Sequence, residues 1–302
     1  MHQPVLLSET IEYLNPEPNE NFVDCTLGEG GHSKAILEKT GPRGKILGID
    51  QDQRQIEKCQ TELGKRLVPV HDNFARLEKI VKREKFAEVS GVLADLGLST
   101  WHLQESQKGF SFLKDEPLDM RLSGQGLSAR DIVNDWPEDR IFQILKDYGE
   151  ERFSQKIARR IVEARKSRSI KTTRELSELI RSACPRNYER GRLHPATRTF
   201  LALRIMVNQE LENLKSFLPQ ALKVLQKNGR LVVISFNSQE DRLVKNFLRE
   251  EEQSGRLRQL TAKPVTPSSK ELERNPASRS AKLRVGLKLI DDNDHGLNPT
   301  HA

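Results

Sequence analysis

Through the first third of the chain, short apolar runs alternate with amphipathic segments. Residues 21–25, 45–50 (KILGID), 67–71 and 89–95 (VSGVLAD) are short and rich in Val, Ile and Leu, which predicts four strands. Residues 33–38, 53–63 and 75–84 between them carry helix-like patterns, and 8–14 reads as a short helix capped by Ser8. The order strand, helix, strand predicts a parallel sheet covered by helices. From about 104 to 194 the rhythm breaks. Helical patterns over 139–148, 152–164 and 173–184 are separated by Gly- and Pro-containing loops, with no strong strand. The β/α pattern then resumes with a helical region over 197–225, a buried strand over 229–236 (GRLVVISF), a helix over 239–251 and a last strand over 281–289. The expected division is an α/β domain over 1–103 and 197–290, a helical insertion over 104–196 and a disordered tail over 291–302.

The chemistry concentrates where predicted strands end. Asp24-Cys25-Thr26-Leu27-Gly28-Glu29-Gly30-Gly31-His32-Ser33 joins the first strand to the next helix. A strand, a glycine turn and a helix form a nucleotide-binding corner, because a residue without Cβ lets the backbone bend sharply and approach a ligand. The run lacks the third glycine of the dinucleotide fingerprint, which argues against a nicotinamide dehydrogenase. Asp24, Asp50 and Asp95 close the first, second and fourth strands, and Asp50 follows Gly30 by 20 residues, the spacing at which a carboxylate meets ribose hydroxyls. Each acid alone is also readable as a helix cap, but three at equivalent places are harder to read that way. A cleft lined by Asp24, Glu29, Asp50 and Asp95 suits the sulfonium of S-adenosylmethionine and repels a pyrophosphate.

Charge adds a second feature. The 302 residues carry a net charge of +7, but 151–198 holds fourteen Lys or Arg against five Glu, and 255–288 holds nine against two. Two basic segments on an acidic body are the footprint of a polyanion, or else solvated helix faces. Arg159, Arg160, Arg165, Lys166, Arg279, Lys282 and Arg284 are the candidate phosphate contacts. No apolar run is long enough to span a bilayer, the opening residues lack a signal-peptide pattern, and three widely spaced cysteines suggest neither a disulfide framework nor a metal site. A cytoplasmic protein is expected, with no membrane partner.

Several segments together resemble one family. DCTLGEGGHS, GIDQD at 48–52, DLGLS at 95–99, KGFSF at 108–112, PLDMR at 117–121, YGEERFSQKIAR at 148–159, HPATRTFLALRI at 194–205, NSQEDRLVK at 237–245, NPASRSAKLRV at 275–285 and the opening HQPVLLSE at 2–9 occur in order. They resemble the bacterial small-subunit rRNA cytosine-N(4) methyltransferases, the RsmH or MraW family. The resemblance implies a class I, Rossmann-like S-adenosylmethionine-dependent fold with an inserted helical domain. It also implies methyl transfer to the exocyclic amine of a cytidine in 16S rRNA of the small ribosomal subunit. By matching positions, Gly30, Gly31 and His32 would contact the cofactor, Asp50 would hold its ribose, Phe74 would pack on the adenine, and Asp95 would lie near the methionine moiety or the reaction centre. His102 stands where the family usually has a cofactor-contacting glutamine, and Trp101 precedes it where a small residue or Pro is usual. Asn237 replaces a His, Gln239 a Leu, Leu201 a Gln and Lys108 an Arg. These departures keep open an RNA-binding paralogue with another target or little activity.

Methyl transfer to an amine needs alignment and a nearby acceptor for the charge that develops on nitrogen. Asp95 and Asp119 are the candidate catalytic carboxylates. Arg121 would engage a phosphate or hold Asp119, and a purely structural Asp119–Arg121 ion pair is the alternative. An unstacked cytidine would need aromatic surface, for which Trp101, Phe110 and Phe112 are candidates; ordinary core packing is the alternative. Asn237 would read a base edge, and Arg279 and Lys282 would grip the RNA. Monomer and homodimer stay open.

Overall fold

The computed structural model describes residues 4–290. The expected disordered tail, 291–302, and the first residues of the 2–9 motif lie outside the described residues. The chain divides into two compact units, Met1–Gly97 with Glu212–Ala302, and Leu98–Leu211. The helical unit is wider at both ends than the 104–196 expected from the sequence. The short helix after the fourth strand and the long one that opens the 197–225 region both cluster with it.

The sheet unit begins with α1 (Leu7–Leu14), β1 (Asn21–Asp24), α2 (Gly31–Lys39), β2 (Ile46–Asp50), α3 (Gln53–Leu63), β3 (Leu67–His71), α4 (Leu77–Arg83) and β4 (Val89–Asp95). Ser8 does not cap α1. It lies inside the helix, and the cap position is Leu6, held in a left-handed conformation at φ 51°. Asp52 does cap α3, accepting from the Arg54 N–H at 3.0 Å.

The helical unit follows with α5 (Thr100–Gln104), α6 (Ala129–Asp135), α7 (Glu138–Asp147), α8 (Ser154–Arg165), α9 (Thr173–Ala183) and α10 (Ala196–Asn208). Reciprocal capping boxes, Ser128 with Asp131 and Thr172 with Glu175, start α6 and α9. The apolar stripes of these helices meet in one core that includes Leu118, Met120, Ile132, Leu145, Ile157 and Leu176.

The chain continues with α11 (Glu210–Val224), β5 (Leu225–Ser235), α12 (Ser238–Gln253), β6 (Leu257–Gln259), α13 (Ser269–Arg274) and β7 (Lys282–Lys288). The single helical region expected over 197–225 is two helices, because Gln209 turns left-handed at φ 51° and ends α10. β6 was not anticipated. Three residues, LRQ, carry no periodicity, and the strand exists because it pairs with β7.

The sheet order is β3-β2-β1-β4-β5-β7-β6. β1 to β5 pair in parallel, and β7 runs antiparallel to both β5 and β6. Side chains alternate between two buried faces. Val23, Leu47, Val92, Ala94, Leu231 and Val233 share one core with residues of α4, α11 and α12. Phe22, Ile46, Leu93, Val232 and Ile234 share the other with residues of α1, α2 and α3. The strand order reverses between β1 and β4, so loops leaving their carboxyl ends part and open a crevice there.

Candidate active site

Three carboxylates stand where the sequence places them, at the carboxyl ends of β1, β2 and β4. Asp24 is buried and accepts from the Ser33 hydroxyl at 2.7 Å and the Thr26 N–H at 3.2 Å. Burial pushes its carboxyl up to about 6 against the pull of those two bonds, and Asp50 nearby adds to the rise. Asp50 binds the glycine turn: one oxygen accepts the Gly28 N–H at 2.8 Å and the other the Asp52 N–H at 2.9 Å. Asp95 is fixed through its backbone, whose N–H donates to the Thr26 hydroxyl at 2.7 Å. Its Oδ1 is buried with no hydrogen-bond partner, and its Oδ2 lies 3.9 Å from His32 Nδ1. Burial pushes the Asp95 carboxyl up to about 7; the Gly97 N–H opposes the rise, and Asp24 and Glu240 reinforce it.

The glycines make the sharp bend expected of them, and two of them have a second physical reason. Gly28 and Gly30 take left-handed conformations, at φ 48° and 75°. A Cβ on Gly30 would meet Cys59 Sγ of α3 at 2.9 Å, and one on Gly31 would meet Pro4 Cγ at 2.3 Å. The room left by those two missing side chains is taken by the protein itself. Only Gly28 has open space in front of its Cβ position, with nothing nearer than the Thr26 carbonyl at 3.8 Å. His32 is buried, and its Nε2 lies 3.0 Å from the Val5 carbonyl. Glu29 pairs with Lys58 at 3.2 Å, so the acidity of the corner rests on Asp24, Asp50 and Asp95.

Sequence reasoning missed Ser33, Thr26 and Glu240 as parts of this site. Ser33 and Thr26 orient two of the carboxylates, and both belong to the glycine run. Glu240 is buried and accepts from the Phe236 N–H at 2.9 Å. Its signal was the Asn-x-x-Glu spacing of a capping box, which the structure forms at the start of α12. That box changes the reading of Asn237. Its Oδ1 accepts from the Gln239 and Glu240 N–H groups, both at 3.0 Å, leaving only a buried Nδ2 without a hydrogen-bond partner. Phe74 begins a short turn after β3, half-buried, with its ring edge-on to Phe217 at 5.2 Å.

The candidates near β7 divide between a structural pair and an exposed residue. Arg284 is buried and, with Lys282, converges on Asp241, at 2.6 Å and 3.3 Å, so Arg284 is not a phosphate contact. These two cations hold the Asp241 carboxyl below its usual range although burial alone would raise it. Arg279 is exposed on the turn before β7 and keeps its charge outward.

In the helical unit, Asp119 and Arg121 form a two-pronged ion pair at 2.7 Å and 2.9 Å, and Arg121 also donates to the Gly126 carbonyl at 3.1 Å. Burial raises the Asp119 carboxyl, but the Arg121 bonds outweigh it and hold it below its ordinary range. An acid with both oxygens paired and its proton easily lost is poorly suited to take up another, so Asp119 is corrected from catalytic candidate to structural partner. Phe110 is buried in the helical core, edge-on to His102 at 5.6 Å, and has no open face for a base. Phe112 is half-buried and stacks on His194 at 4.6 Å. His102 is buried in α5, with Ser99 Oγ 2.7 Å from its Nδ1 and the Trp101 ring 5.2 Å away. Of the cations in 151–198, Arg159 pairs with Glu163 and Arg165 donates to the Val133 carbonyl.

A cluster of buried or half-buried acids with one unsatisfied oxygen, without a cation among the strand-end residues, fits a positively charged ligand and fits a pyrophosphate badly. No group of side chains suited to a metal ion occurs among the described residues.

A model of the MraW methylase family matches residues 1–289. The chain is 44% identical to a ribosomal RNA small subunit methyltransferase H of Clostridium botulinum, over 95% of this chain and 99% of that one. It is 46% identical to the protein of the same name from Dehalococcoides mccartyi, over 96% and 87%. A solved structure of a methyltransferase from Streptococcus mutans with bound SAH covers 96% of this chain and all (100%) of its own, at 12% identity and a TM-score of 0.47. With nearly the whole chain matched, and with its sheet order, its glycine corner and its strand-end carboxylates in place, this protein belongs to the MraW methylase family.

Proposed function

We propose that the chain transfers a methyl group from S-adenosylmethionine to the exocyclic N(4) amine of a cytidine in 16S rRNA, acting on the small ribosomal subunit in the cytoplasm. The observation that carries this reading is the carboxylate cluster at the ends of β1, β2 and β4, within a chain matched almost end to end by a methylase family. When bound, S-adenosylmethionine supplies an electrophilic methyl on a sulfonium.

The chain's own residues then divide the work. Asp50, held at the end of β2 by the Gly28 and Asp52 N–H groups, accepts the ribose hydroxyls. The Gly28–His32 turn shapes the floor, and Phe74 offers apolar surface to the adenine. Asp24 and Asp95 supply negative charge for the sulfonium. The cytosine amine is a weak nucleophile because its lone pair is delocalised into the ring, and it sheds a proton once the new bond forms. Asp95 accepts that proton: its Oδ1 has no partner, and its carboxyl at about 7 is matched to neutral pH. The exposed cations of the basic segments, Arg279 among them, hold the RNA backbone.

The test is methyl incorporation from labelled S-adenosylmethionine into small subunits from cells lacking this gene, followed by mass spectrometry of the rRNA nucleosides. N(4)-methylated cytidine is expected, and it should vanish with Asp95→Ala. Label in no cytidine, or full label with Asp95→Ala, would overturn the reading.

A further inference from the structure

Two segments that the proposed chemistry leaves unused meet beside the site: the opening residues 4–6 and α13. Pro4 lies on the backbone of Gly31, so close that a Cβ there would come within 2.3 Å of its Cγ. The Val5 carbonyl faces His32 Nε2 at 3.0 Å. The buried Leu6 stands in a left-handed conformation at φ 51°, and its N–H donates to Glu271 Oε1 of α13 at 2.7 Å, across 265 residues of sequence. Glu271 sits at the third position of its helix, after the Ser268 cap. At that position in α6, α9 and α12 the acid returns to its own cap and closes a capping box. Glu271 instead reaches away to Leu6.

A carbonyl oxygen can only accept, so His32 Nε2 must carry a proton. The nitrogen left facing Asp95 Oδ2, at 3.9 Å, is therefore Nδ1. The other tautomer, with the proton on Nδ1, would put two acceptors face to face at Val5. Whatever seats the strap at 4–6 thus decides which His32 nitrogen carries the proton, and so what Nδ1 presents to the Asp95 carboxylate.

We propose that Glu271 is a positioning residue for the methyl-donor site: by accepting the Leu6 N–H it seats the strap at residues 4–6, and the Val5 carbonyl then fixes the His32 ring with Nδ1 towards Asp95. The assignment of the site to a methyl donor rests on the proposed function; the tautomer control does not. A glutamine keeps an acceptor oxygen at this position, whereas an alanine removes it.

The experiment uses the full-length protein with ¹⁵N-labelled histidine as wild type, Glu271→Gln and Glu271→Ala, with His32→Gln to assign the His32 signals. Long-range ¹H–¹⁵N spectra are expected to show a protonated Nε2 at His32 in wild type and Glu271→Gln, and a tautomer mixture in Glu271→Ala. Calorimetric titration with S-adenosylmethionine is expected to show about tenfold weaker binding for Glu271→Ala, the loss of one charge-assisted hydrogen bond, and recovery in Glu271→Gln. A Glu271→Ala protein with a lowered Tm but wild-type His32 signals and affinity would overturn the proposal. If no variant, wild type included, binds S-adenosylmethionine while the His32 signals still respond to Glu271, the positioning stands and the methyl-donor reading falls.

Discussion

Asp95 in the sheet unit and Asp119 in the helical unit look alike in the sequence, each an acid in a short motif beside a turn. The fold treats them oppositely. Asp95 ends β4 among buried acids, keeps one oxygen without a partner and is pushed up to about 7. Asp119 has both oxygens on Arg121 and is held below the usual carboxylate range. The difference lies in the neighbours. Burial with like charges stores a tendency to take up a proton, whereas burial with a bidentate guanidinium removes it. The first environment suits chemistry and the second suits architecture.

Substituting each acid tests this contrast most severely. Asp95→Asn keeps the shape but loses the proton acceptor, and kcat for methyl transfer should fall by about 10² to 10⁴ with little change in Tm. Asp119→Asn should keep kcat within a few-fold. Equal losses of kcat in the two variants would erase the distinction.

The next largest effect is on pH. Below about 7 the Asp95 carboxyl is protonated and cannot accept the amine's proton, so methyl transfer should fall about tenfold per unit as pH drops through that value. The midpoint reflects Asp95 together with the charges of Asp24 and Glu240 that raise it rather than one isolated group. The stability consequence has the opposite sense. A carboxyl raised in the folded state binds more protons there than in the unfolded chain, so its contribution to stability is present at low pH and is lost as pH rises from about 4 to about 7. Binding of a cationic ligand should then release protons near neutrality, measurable by calorimetry in buffers of different ionisation enthalpy.

The glycine corner sharpens the comparison at smaller cost. Gly31→Ala drives a Cβ into Pro4 and should destabilise the fold by about 1–3 kcal/mol, read from urea unfolding. Gly28→Ala has open space and only its left-handed φ to resist it, about 1 kcal/mol, so its main effect should fall on ligand affinity. The smallest effect is the stability change of Asp119→Asn, about 1 kcal/mol, since the Arg121 pair is partly exposed and screened.

Much of the fold was legible because local patterns agree with it. The runs at 67–71 and 89–95 are strands over those same residues, and 53–63 is a helix over its full length. What was missed depends on partners distant in the chain. β6 has three residues and exists through β7, and Leu6, at the cap of α1, gives its N–H to Glu271 265 residues away. Among the candidate site residues, Asp24, Asp50 and Asp95 were visible because strand ends in an open α/β sheet are where ligands bind. The burial of Phe110 and Arg284, and the use of Asn237 as a cap, were not visible, because an aromatic, a cation or an amide reads the same in a core as in a cleft.

The sequence by itself determined the alternation of the longer strands and helices, the glycine turn, the acids that close three strands and the family, since each is written in local spacing or ordered motifs. The tertiary structure alone decided which acids are paired and which keep an oxygen without a partner, what fills the space beside Gly30 and Gly31, and which nitrogen of His32 faces Asp95. Those outcomes depend on distances through space and on the water excluded by packing, and neighbours in sequence do not encode either.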